Sequence, residues 1–331
     1  MKKIVLLIAL CFSALLCSCA QDDKQATDKS DDNLIVVGFS QVGAESEWRV
    51  ANTENMKAML SEENGYELIY DDARNKPENQ IRAIRTFIQQ DVDFIVFSPI
   101  VETGWNSILQ EAKEAGIPVI VTDRYIETGQ EGLYTAFVGS DFRKEGEKAM
   151  VWLEDFLEQQ NRDKENIRIV HIQGTIGSTA QIGRSTALEM AIERNPNWQM
   201  VVQECGNFTR AKAFEVMSEI LKQTKDIDVV YCENDGEALG AIDAMEQAGL
   251  RCNAKDGVIV ISFDATNLGL KYCLDGKIAL NMECNPLQGP YVHEIIQHIL
   301  KEEPFEREKY VEETQFDSFT ITQAMIDSRD Y

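Results

Sequence analysis

The chain has 331 residues, of which 56 are Asp or Glu and 32 are Lys or Arg, and its formal net charge is −24 at pH 7. A surface this acidic repels phosphate backbones, so nucleic acid is excluded as a partner. The length is sufficient for two lobes that each bury a core of their own.

The first 18 residues have the pattern of a secretory signal. Two lysines precede the apolar stretch 4–16, which is too short to span a bilayer. A cysteine follows a small residue, as in bacterial lipoprotein signals, and we expect Cys19 to be lipidated after cleavage. The prediction is a signal peptide at 1–18, a flexible polar tether at 19–33, and a protein held at its membrane, in the periplasm or at the cell surface, only by lipid. An ordinary signal peptide or an uncleaved anchor is the alternative.

From residue 34 onward, short β-branched runs alternate with helical stretches. The runs of the first half lie at 34–40, 67–72, 93–99, 118–124 and 135–141. The rhythm then restarts, with runs at 167–174, 198–204, 228–234, 258–264 and 278–284. Near-continuous apolar strands separated by amphipathic helices indicate parallel sheets that are covered on both faces.

We therefore expect an α/β fold with two doubly wound lobes. Lobe 1 is placed at 34–138 together with 285–317. Lobe 2 is placed at 139–284 together with 318–331.

The two halves match most closely around one aspartate each. The run at 93–99 resembles the run at 228–234, each is followed by a helix that ends in Ala-Gly, and the next strand ends on Asp123 or Asp264. Ligands of open parallel sheets bind outside the carboxyl ends of the strands. Two such sheets that face each other bring both aspartates to a shared cleft, which is the architecture of a clam-shell binder.

Further polar and aromatic residues follow the same strand ends. Carboxylate, amide and guanidinium groups form two-pronged hydrogen bonds with ring hydroxyls, and an aromatic ring covers the C–H face of a sugar. The candidate ligand-binding residues are Glu45, Ser46, Trp48, Arg49, Asp123, Arg124, Gln173, Arg184, Phe208, Asn234 and Asp264.

Several of these side chains have a structural alternative. Trp48 and Phe208 are also explained as core residues, and the arginines, Arg210 above all, as surface ion-pair partners on an acidic protein. Asp141 and Asp235 follow strands and fit helix N-caps. Asp123 and Asp264 have no capping explanation, so they are the strongest candidates.

Seven stretches of the chain carry a family resemblance: GFSQVGAESEWR (38–49), ENQIRAIRTF (78–87), SPIVETGW (98–105), DR (123–124), QGTIG (173–177), GNFTRAK (206–212) and END (233–235). In them the chain resembles the periplasmic sugar-binding proteins that share a fold with the ligand-binding part of lactose-repressor-type regulators, and among them the galactofuranose-binding proteins of bacterial ABC importers. The resemblance implies the type I periplasmic-binding-protein fold, in which a multi-strand hinge joins the two lobes. It implies a monomer that passes a monosaccharide, similar to galactofuranose, to an ABC permease. It also adds Asn281 and Glu283 to the candidate pocket.

Other functions stay open at this point. A sugar-sensing lipoprotein that presents its ligand to a membrane receptor or kinase needs the same pocket. A glycan-processing lipoprotein is the third alternative, because an acidic chain offers many carboxylate pairs. No GxSxG occurs, and GTIGST at 174–179 lacks the lysine of a phosphate loop, so we expect a binding protein and not an enzyme. Four arginines near the site leave acidic sugars open.

The cysteines and histidines give no metal pattern. Five cysteines follow Cys19, none with the paired spacing of a zinc site, and their disulfide pairing is left open. Most of them fit small buried residues. His293 and His298 are five apart on a predicted helix and do not share a face. We expect no metal and no cofactor.

Overall fold

The computed structural model describes residues 34–331, so the expected signal peptide, the lipidated Cys19 and the tether lie outside the described residues. The strands, in chain order, are β1 Ile35–Gln41, β2 Tyr66–Asp72, β3 Phe94–Phe97, β4 Val119–Asp123, β5 Ala136–Gly139, β6 Ile167–Gln173, β7 Trp198–Cys205, β8 Val229–Cys232, β9 Ile259–Asp264, β10 Leu280–Glu283, β11 Glu308–Tyr310 and β12 Gln315–Asp317. All ten predicted runs form strands.

Helices connect the strands. They are α1 Glu47–Met59, α2 Pro77–Gln89, α3 Asn106–Glu114, α4 Phe142–Gln159, α5 Thr179–Arg194, α6 Arg210–Gln223, α7 Asp235–Gln247, α8 Asn267–Leu274, α9 Gly289–Leu300 and α10 Gln323–Asp327. Within residues 34–331, none of them combines the length and the apolar character that a membrane crossing requires.

The strands form two six-stranded sheets with the same internal order. The first is β11-β5-β4-β3-β1-β2, and all its neighbours are parallel. The second is β12-β10-β9-β8-β6-β7, and only β12 runs antiparallel to its neighbour. The predicted fold of two doubly wound lobes is confirmed, and the internal repeat extends to the strand order.

The central strands show why these residues form buried parallel sheets. Along β3, Phe94 and Val96 pack into one apolar cluster, whereas Ile95 and Phe97 pack into the cluster on the opposite face. The four residues of β8 alternate in the same way between two clusters of the second lobe. A strand that is buried on both faces needs apolar residues at every position, which is the continuous pattern seen in the sequence.

Three segments carry the chain from one sheet to the other. They are residues 140–141 after β5, 284–288 after β10 and 311–314 between β11 and β12, and we call them the hinge segments. The prediction places residues up to 317 with the first lobe, whereas β12 pairs with β10 and so belongs to the second sheet. A three-residue edge strand has no periodicity that the sequence could reveal. The remaining lobe boundaries stay predictions.

Candidate functional site

A small cavity of about 290 Å³, part of it open to solvent, lies between the carboxyl ends of the two sheets. Ten of the thirteen predicted ligand residues line it, namely Glu45, Ser46, Trp48, Arg49, Asp123, Arg124, Arg184, Phe208, Asn234 and Asp264. Three further residues complete the lining: Phe142, Ala180 and Cys284. The structure therefore brings together residues that lie up to 239 positions apart in the chain, from Glu45 to Cys284.

The wall from the first lobe is organised around Arg49, which is buried in the first turn of α1. Its Nη2 lies 2.7 Å from Asp123 Oδ2 and its Nε lies 3.1 Å from Glu45 Oε1. Ser98 donates a hydrogen bond of 2.9 Å to the same Asp123 oxygen. Burial lowers the pKa of Arg49, but the charges of Asp123 and Glu45 outweigh burial and raise it above its ordinary value. This wall is held in place by its own ion pairs.

Arg124 is less completely paired than Arg49. It lies 3.7 Å from Glu45 Oε1 and 3.8 Å from Asp123 Oδ2, and its guanidinium stands over the ring of Phe208 at 5.3 Å. Burial, followed by the charge of Arg49, lowers the pKa of Arg124 to about 10. Its Nε has no hydrogen-bond partner among residues 34–331. Arg124 therefore offers an unused donor at the cavity.

The wall from the second lobe contains one buried ion pair. Arg184 Nε and Nη2 lie 2.8 and 2.7 Å from Glu145 Oε2, and Arg184 also donates to the carbonyl of Glu233. The guanidinium stands over the rings of Phe142 at 5.1 Å and Phe263 at 4.6 Å. The planar group is thus clamped between aromatic rings with one edge toward the cavity.

Asp264 differs from every other carboxylate of the cavity, because its side chain has no hydrogen bond or ion pair within residues 34–331. It is 5% exposed, and burial raises its pKa well above the ordinary value. A buried carboxylate without a donor is costly, so this side chain is prepared for donors that the protein itself does not supply.

The backbone at the two repeat-related aspartates has the same unusual conformation. Asp123 has φ 63° and Asp264 has φ 102°, in the left-handed region that side chains other than glycine rarely adopt. Each is the last residue of its strand, and both line the cavity. Such strain is characteristic of functional positions that the surrounding structure holds in place.

Buried polar residues hold the turn after Asp264. Asp235 accepts hydrogen bonds from Thr266 N at 2.8 Å and Thr266 Oγ1 at 2.7 Å, and Asn281 Oδ1 accepts one from Ala265 N at 3.0 Å. Asn281 Nδ2 donates to Asp235 Oδ1 at 2.6 Å. These side chains lie behind the cavity lining and position it.

Three predicted ligand residues do not line the cavity. Gln173 bonds Ser185 at 3.0 Å inside the second lobe, and Asn281 is directed to Asp235 as described above. Glu283 accepts from Tyr331 Oη at 2.7 Å and from Arg329 at 2.8 Å, which ties β10 to the C-terminal residues. The hydrogen bonds of these three residues stabilise the fold.

The structure also shows which residues have the capping and surface ion-pair roles that the sequence left as alternatives. Asp141 is an N-cap, because it accepts from Lys144 N at 3.0 Å. The N-cap of α7 is Asn234 and not Asp235, and Asn234 also donates to the Phe208 carbonyl at 3.2 Å. Arg210 forms an exposed ion pair with Asp243 at 2.7 Å, which is the surface role considered for it.

Trp48 and Phe208 are both buried and both line the cavity. They form a small apolar cluster with three residues that the sequence reasoning missed, Phe142, Ala180 and Cys284. Trp48 Nε1 donates to the Cys284 carbonyl at 2.5 Å, which connects α1 to a hinge segment. Phe142 opens a helix, with two residues between it and the end of a strand, and Trp48 lies in the first turn of a helix that also follows a strand, so the position of Phe142 was the available signal.

The lobes are in contact across the mouth of the cleft. Glu102 N donates to Gly177 O at 2.9 Å, and Tyr125 N donates to Thr179 Oγ1 at 3.0 Å. Both hydrogen bonds join a loop of the first sheet to the segment that starts α5. The small volume of the cavity follows from this closed arrangement.

Comparisons with known proteins agree with this architecture. A family model described as periplasmic binding protein domain matches residues 37–301, and the chain belongs to that family. The galactofuranose-binding protein YtfQ of Escherichia coli K12 is 38% identical over 260 residues, which cover 77% of this chain and 79% of the relative.

Two solved structures are similar to this chain in sequence and fold. A Mycobacterium smegmatis protein in complex with β-D-fucofuranose is 41% identical, with a TM-score of 0.82 over 89% of this chain and 93% of that one. The periplasmic binding component of an arabinose ABC transporter of Shewanella sp. ANA-3, bound to α- and β-L-arabinofuranose, is 38% identical, with a TM-score of 0.82 over 89% and 95%.

The resemblance stated from the sequence is thereby confirmed, and the fold is that of type I periplasmic binding proteins. The matched relatives are solute-binding proteins, so the expectation of a binding protein and not an enzyme is confirmed as well.

Proposed function

We propose that the protein is a lipid-anchored solute-binding protein that captures a neutral furanose sugar similar to galactofuranose and delivers it to an ABC importer. The observation that carries this proposal is Asp264, a buried carboxylate that faces the cavity and lacks a protein donor. Two adjacent hydroxyls of a sugar supply the donors that it lacks, through charge-assisted hydrogen bonds.

The charges of the cavity favour a neutral ligand over an acidic sugar. Each guanidinium already faces a carboxylate: Arg49 lies 2.7 Å from Asp123, Arg124 lies 3.7 Å from Glu45, and Arg184 lies 2.7 Å from Glu145. No positive charge is left over for a uronate, and the uronate carboxylate would be buried near Asp264. An uncompensated buried charge costs several kcal/mol, on the order of the whole binding free energy of a sugar.

The furanose ring form is supported by relatives. The two solved neighbours reported above contain bound furanose sugars, and the curated relative is named for galactofuranose. The aromatic side chains Trp48, Phe142 and Phe208 give the cavity apolar surfaces for the C–H face of a compact ring.

Calorimetry and NMR test this proposal together. Sugars that form furanoses, including ¹³C-labelled galactose and arabinose, are titrated into the protein, with galacturonate as the acidic counterpart of galactose. We expect binding of the neutral sugar, a furanose as the bound ring form in the NMR spectrum, and no heat with galacturonate. At about one hundred times its Kd the ligand adds roughly 2.7 kcal/mol to the free energy of unfolding. Binding of galacturonate, or of pyranose forms only, contradicts the proposal.

Delivery to an importer and the lipid anchor need separate tests. Sugar-dependent stimulation of the ATPase of a cognate permease in proteoliposomes supports import, and binding to a receptor or kinase ectodomain without such stimulation contradicts it. Mass spectrometry of the membrane-associated protein shows whether Cys19 carries acyl chains, and a Cys19→Ser variant released from the membrane is the matched control.

A further inference from the structure

A buried polar cluster lies behind the sugar cavity, where the hinge segments meet. One residue comes from each segment: Ser140, Cys284 and Glu313. Glu145 joins them from the first turn of α4. A carboxylate oxygen of Glu145, the Sγ of Cys284 and a carboxylate oxygen of Glu313 all lie within 4.8 Å of one another. We call these three residues the hinge cluster.

The hinge cluster brings several acceptor atoms together, and the partners of these atoms differ. Glu313 Oε1 accepts from Ser140 Oγ at 2.5 Å and from Asn285 N at 3.0 Å. Glu145 uses Oε2 for Arg184, but its Oε1 is buried and has no hydrogen-bond partner among residues 34–331. The Glu145 side chain is only 3% exposed, so water does not compensate for the missing donor.

Electrostatics support the same conclusion. Burial is the largest influence on both carboxyl groups and raises the pKa of each, and Glu145 raises the pKa of Glu313 further. Arg184 is engaged with the far oxygen of Glu145 and does not reach Glu313. The region between the two carboxylates and the Cys284 sulfur therefore lacks a positive charge.

A separate groove gives access to this cluster from the hinge side. It is open to solvent and has Glu145 and Glu313 in its lining, together with Asn285 and Thr314 of the hinge segments. A cation can reach the two carboxylates through this groove without entering the sugar cavity.

We propose that Glu145, Cys284 and Glu313 bind a divalent transition metal of the zinc type. One thiolate and two carboxylates form three of the four ligands of a tetrahedral zinc site, and the thiolate disfavours Ca²⁺ and Mg²⁺. Zinc–sulfur and zinc–oxygen bonds of about 2.3 and 2.1 Å place tetrahedral ligand atoms roughly 3.3–3.8 Å apart, so closure around the ion needs shifts of about 1 Å.

Metal binding at this place has a mechanical consequence. Cys284 and Glu313 belong to two different hinge segments, and Glu145 belongs to the second lobe. One ion bound to all three connects the segments that must move when the cleft opens, and it replaces the thiol proton that the metal-free cluster retains. The bound metal then stiffens the hinge whether or not sugar is present.

Cobalt and zinc titrations of the full chain, freed of metal with a chelator, test the site. We expect Co²⁺ to produce a cobalt–thiolate absorption band and Zn²⁺ to abolish that band by displacement, with a raised unfolding temperature. Cys284→Ser should remove the band and weaken Zn²⁺ binding at least tenfold, and Glu313→Gln should weaken it to a similar extent. Cys205→Ser is the matched control, because Cys205 is a partly buried thiol outside the cluster, and it should behave as the unmutated protein.

The cobalt–thiolate band distinguishes the hinge cluster from metal-binding positions that contain no cysteine. His298 lies 3.7 Å from Glu294 and 3.4 Å from Glu303 on the surface, and metal bound there gives no thiolate band. A missing band in the unmutated protein, or a band that survives Cys284→Ser, overturns the proposal. If Cys284→Ser does not fold, unchanged zinc affinity of Glu313→Gln overturns it equally. None of these measurements uses sugar, so their outcome is independent of the proposed transport function.

Discussion

Asp264→Asn separates ligand binding from stability more sharply than any other change in the cavity. Asn tolerates the left-handed backbone at φ 102°, where Ala would be strained, and it keeps the shape of the side chain. The substitution removes the charge and replaces one acceptor oxygen by an N–H₂ group, with which a sugar hydroxyl can still form a neutral hydrogen bond. Because no protein group donates to this carboxylate among the described residues, the ligand-free protein loses no hydrogen bond.

The magnitude follows from the number of hydrogen bonds. Two hydroxyl groups bonded to a carboxylate contribute about 1.5–3 kcal/mol each, against about 0.5–1.5 kcal/mol each for a neutral acceptor. We therefore expect a loss of about 2–3 kcal/mol in binding, or a Kd roughly 30- to 140-fold weaker. The free energy of unfolding without sugar should stay unchanged or rise, because a buried carboxylate with a raised pKa is removed.

Asp123→Asn provides the contrast. Asp123 lies 2.7 Å from Arg49 and accepts from Ser98, so its loss leaves Arg49 partly unpaired in a buried wall. Breaking a buried pair costs about 3–5 kcal/mol, and both stability and sugar affinity should fall. Asp141→Asn, on an exposed N-cap outside the cavity, is the control that changes neither.

Isothermal calorimetry and urea unfolding of the ligand-free proteins measure the two quantities. Wild-type affinity in Asp264→Asn refutes the assignment of this carboxylate to the ligand. A loss of several kcal/mol in ligand-free stability refutes the statement that the protein leaves it without partners.

Three further substitutions test the contact across the cleft, the contact of Trp48 with a hinge segment, and the raised pKa of Asp235. Thr179→Val removes the hydrogen bond to Tyr125 N across the cleft, so sugar affinity should fall roughly 2- to 10-fold by calorimetry, with unfolding unaffected; an unchanged Kd contradicts a role in closure. Trp48→Phe leaves the Cys284 carbonyl without its donor, and we expect about 1–3 kcal/mol lower stability in urea; no loss means that water replaces the indole. Burial raises the pKa of Asp235 from 3.8 to about 6, so the folded chain keeps this proton to higher pH. The protonated Asp235 side chain therefore makes its full contribution to the free energy of unfolding below a pH of about 4. Up to about 3 kcal/mol of this contribution is lost as the pH rises through about 6. The difference in unfolding free energy between wild type and Asp235→Asn should fall over that range, and a flat difference contradicts the shift.

The fold and the two aspartates could be predicted from the sequence because their signals are local. Each strand is a short apolar run, and the alternation of clusters along β3 and β8 shows why no polar residue interrupts it. Asp123 and Asp264 were found because the repeat puts both at the ends of equivalent strands, and they line one cavity. Local pattern and topology together were sufficient for this part of the site.

The predicted ligand residues that lie outside the cavity are held there by contacts between distant segments. Asn281 and Glu283 lie two positions apart on β10, a spacing that permits a cavity role for both. In the structure Asn281 is hydrogen-bonded to Asp235, and Glu283 is hydrogen-bonded to the C-terminal Tyr331. Gln173 ends its strand as Asp123 does, yet Ser185 of the following helix holds it. No spacing in the sequence reports such partners, because each depends on how two elements pack in the folded chain.

The two walls of the cavity differ in how far their polar groups are paired before a ligand binds. The first-lobe wall is organised before any ligand arrives, since Arg49 is bonded to both Glu45 and Asp123. The second-lobe wall leaves Asp264 without a donor, and this deficit is greatest when the cleft is closed and dry. A sugar that binds the first wall brings hydroxyls to Asp264 only on closure, so closure without ligand buries an unsatisfied charge whereas closure with ligand does not. If the protein serves an importer as proposed, this dependence of closure on the ligand lets the transporter distinguish the loaded protein from the empty one.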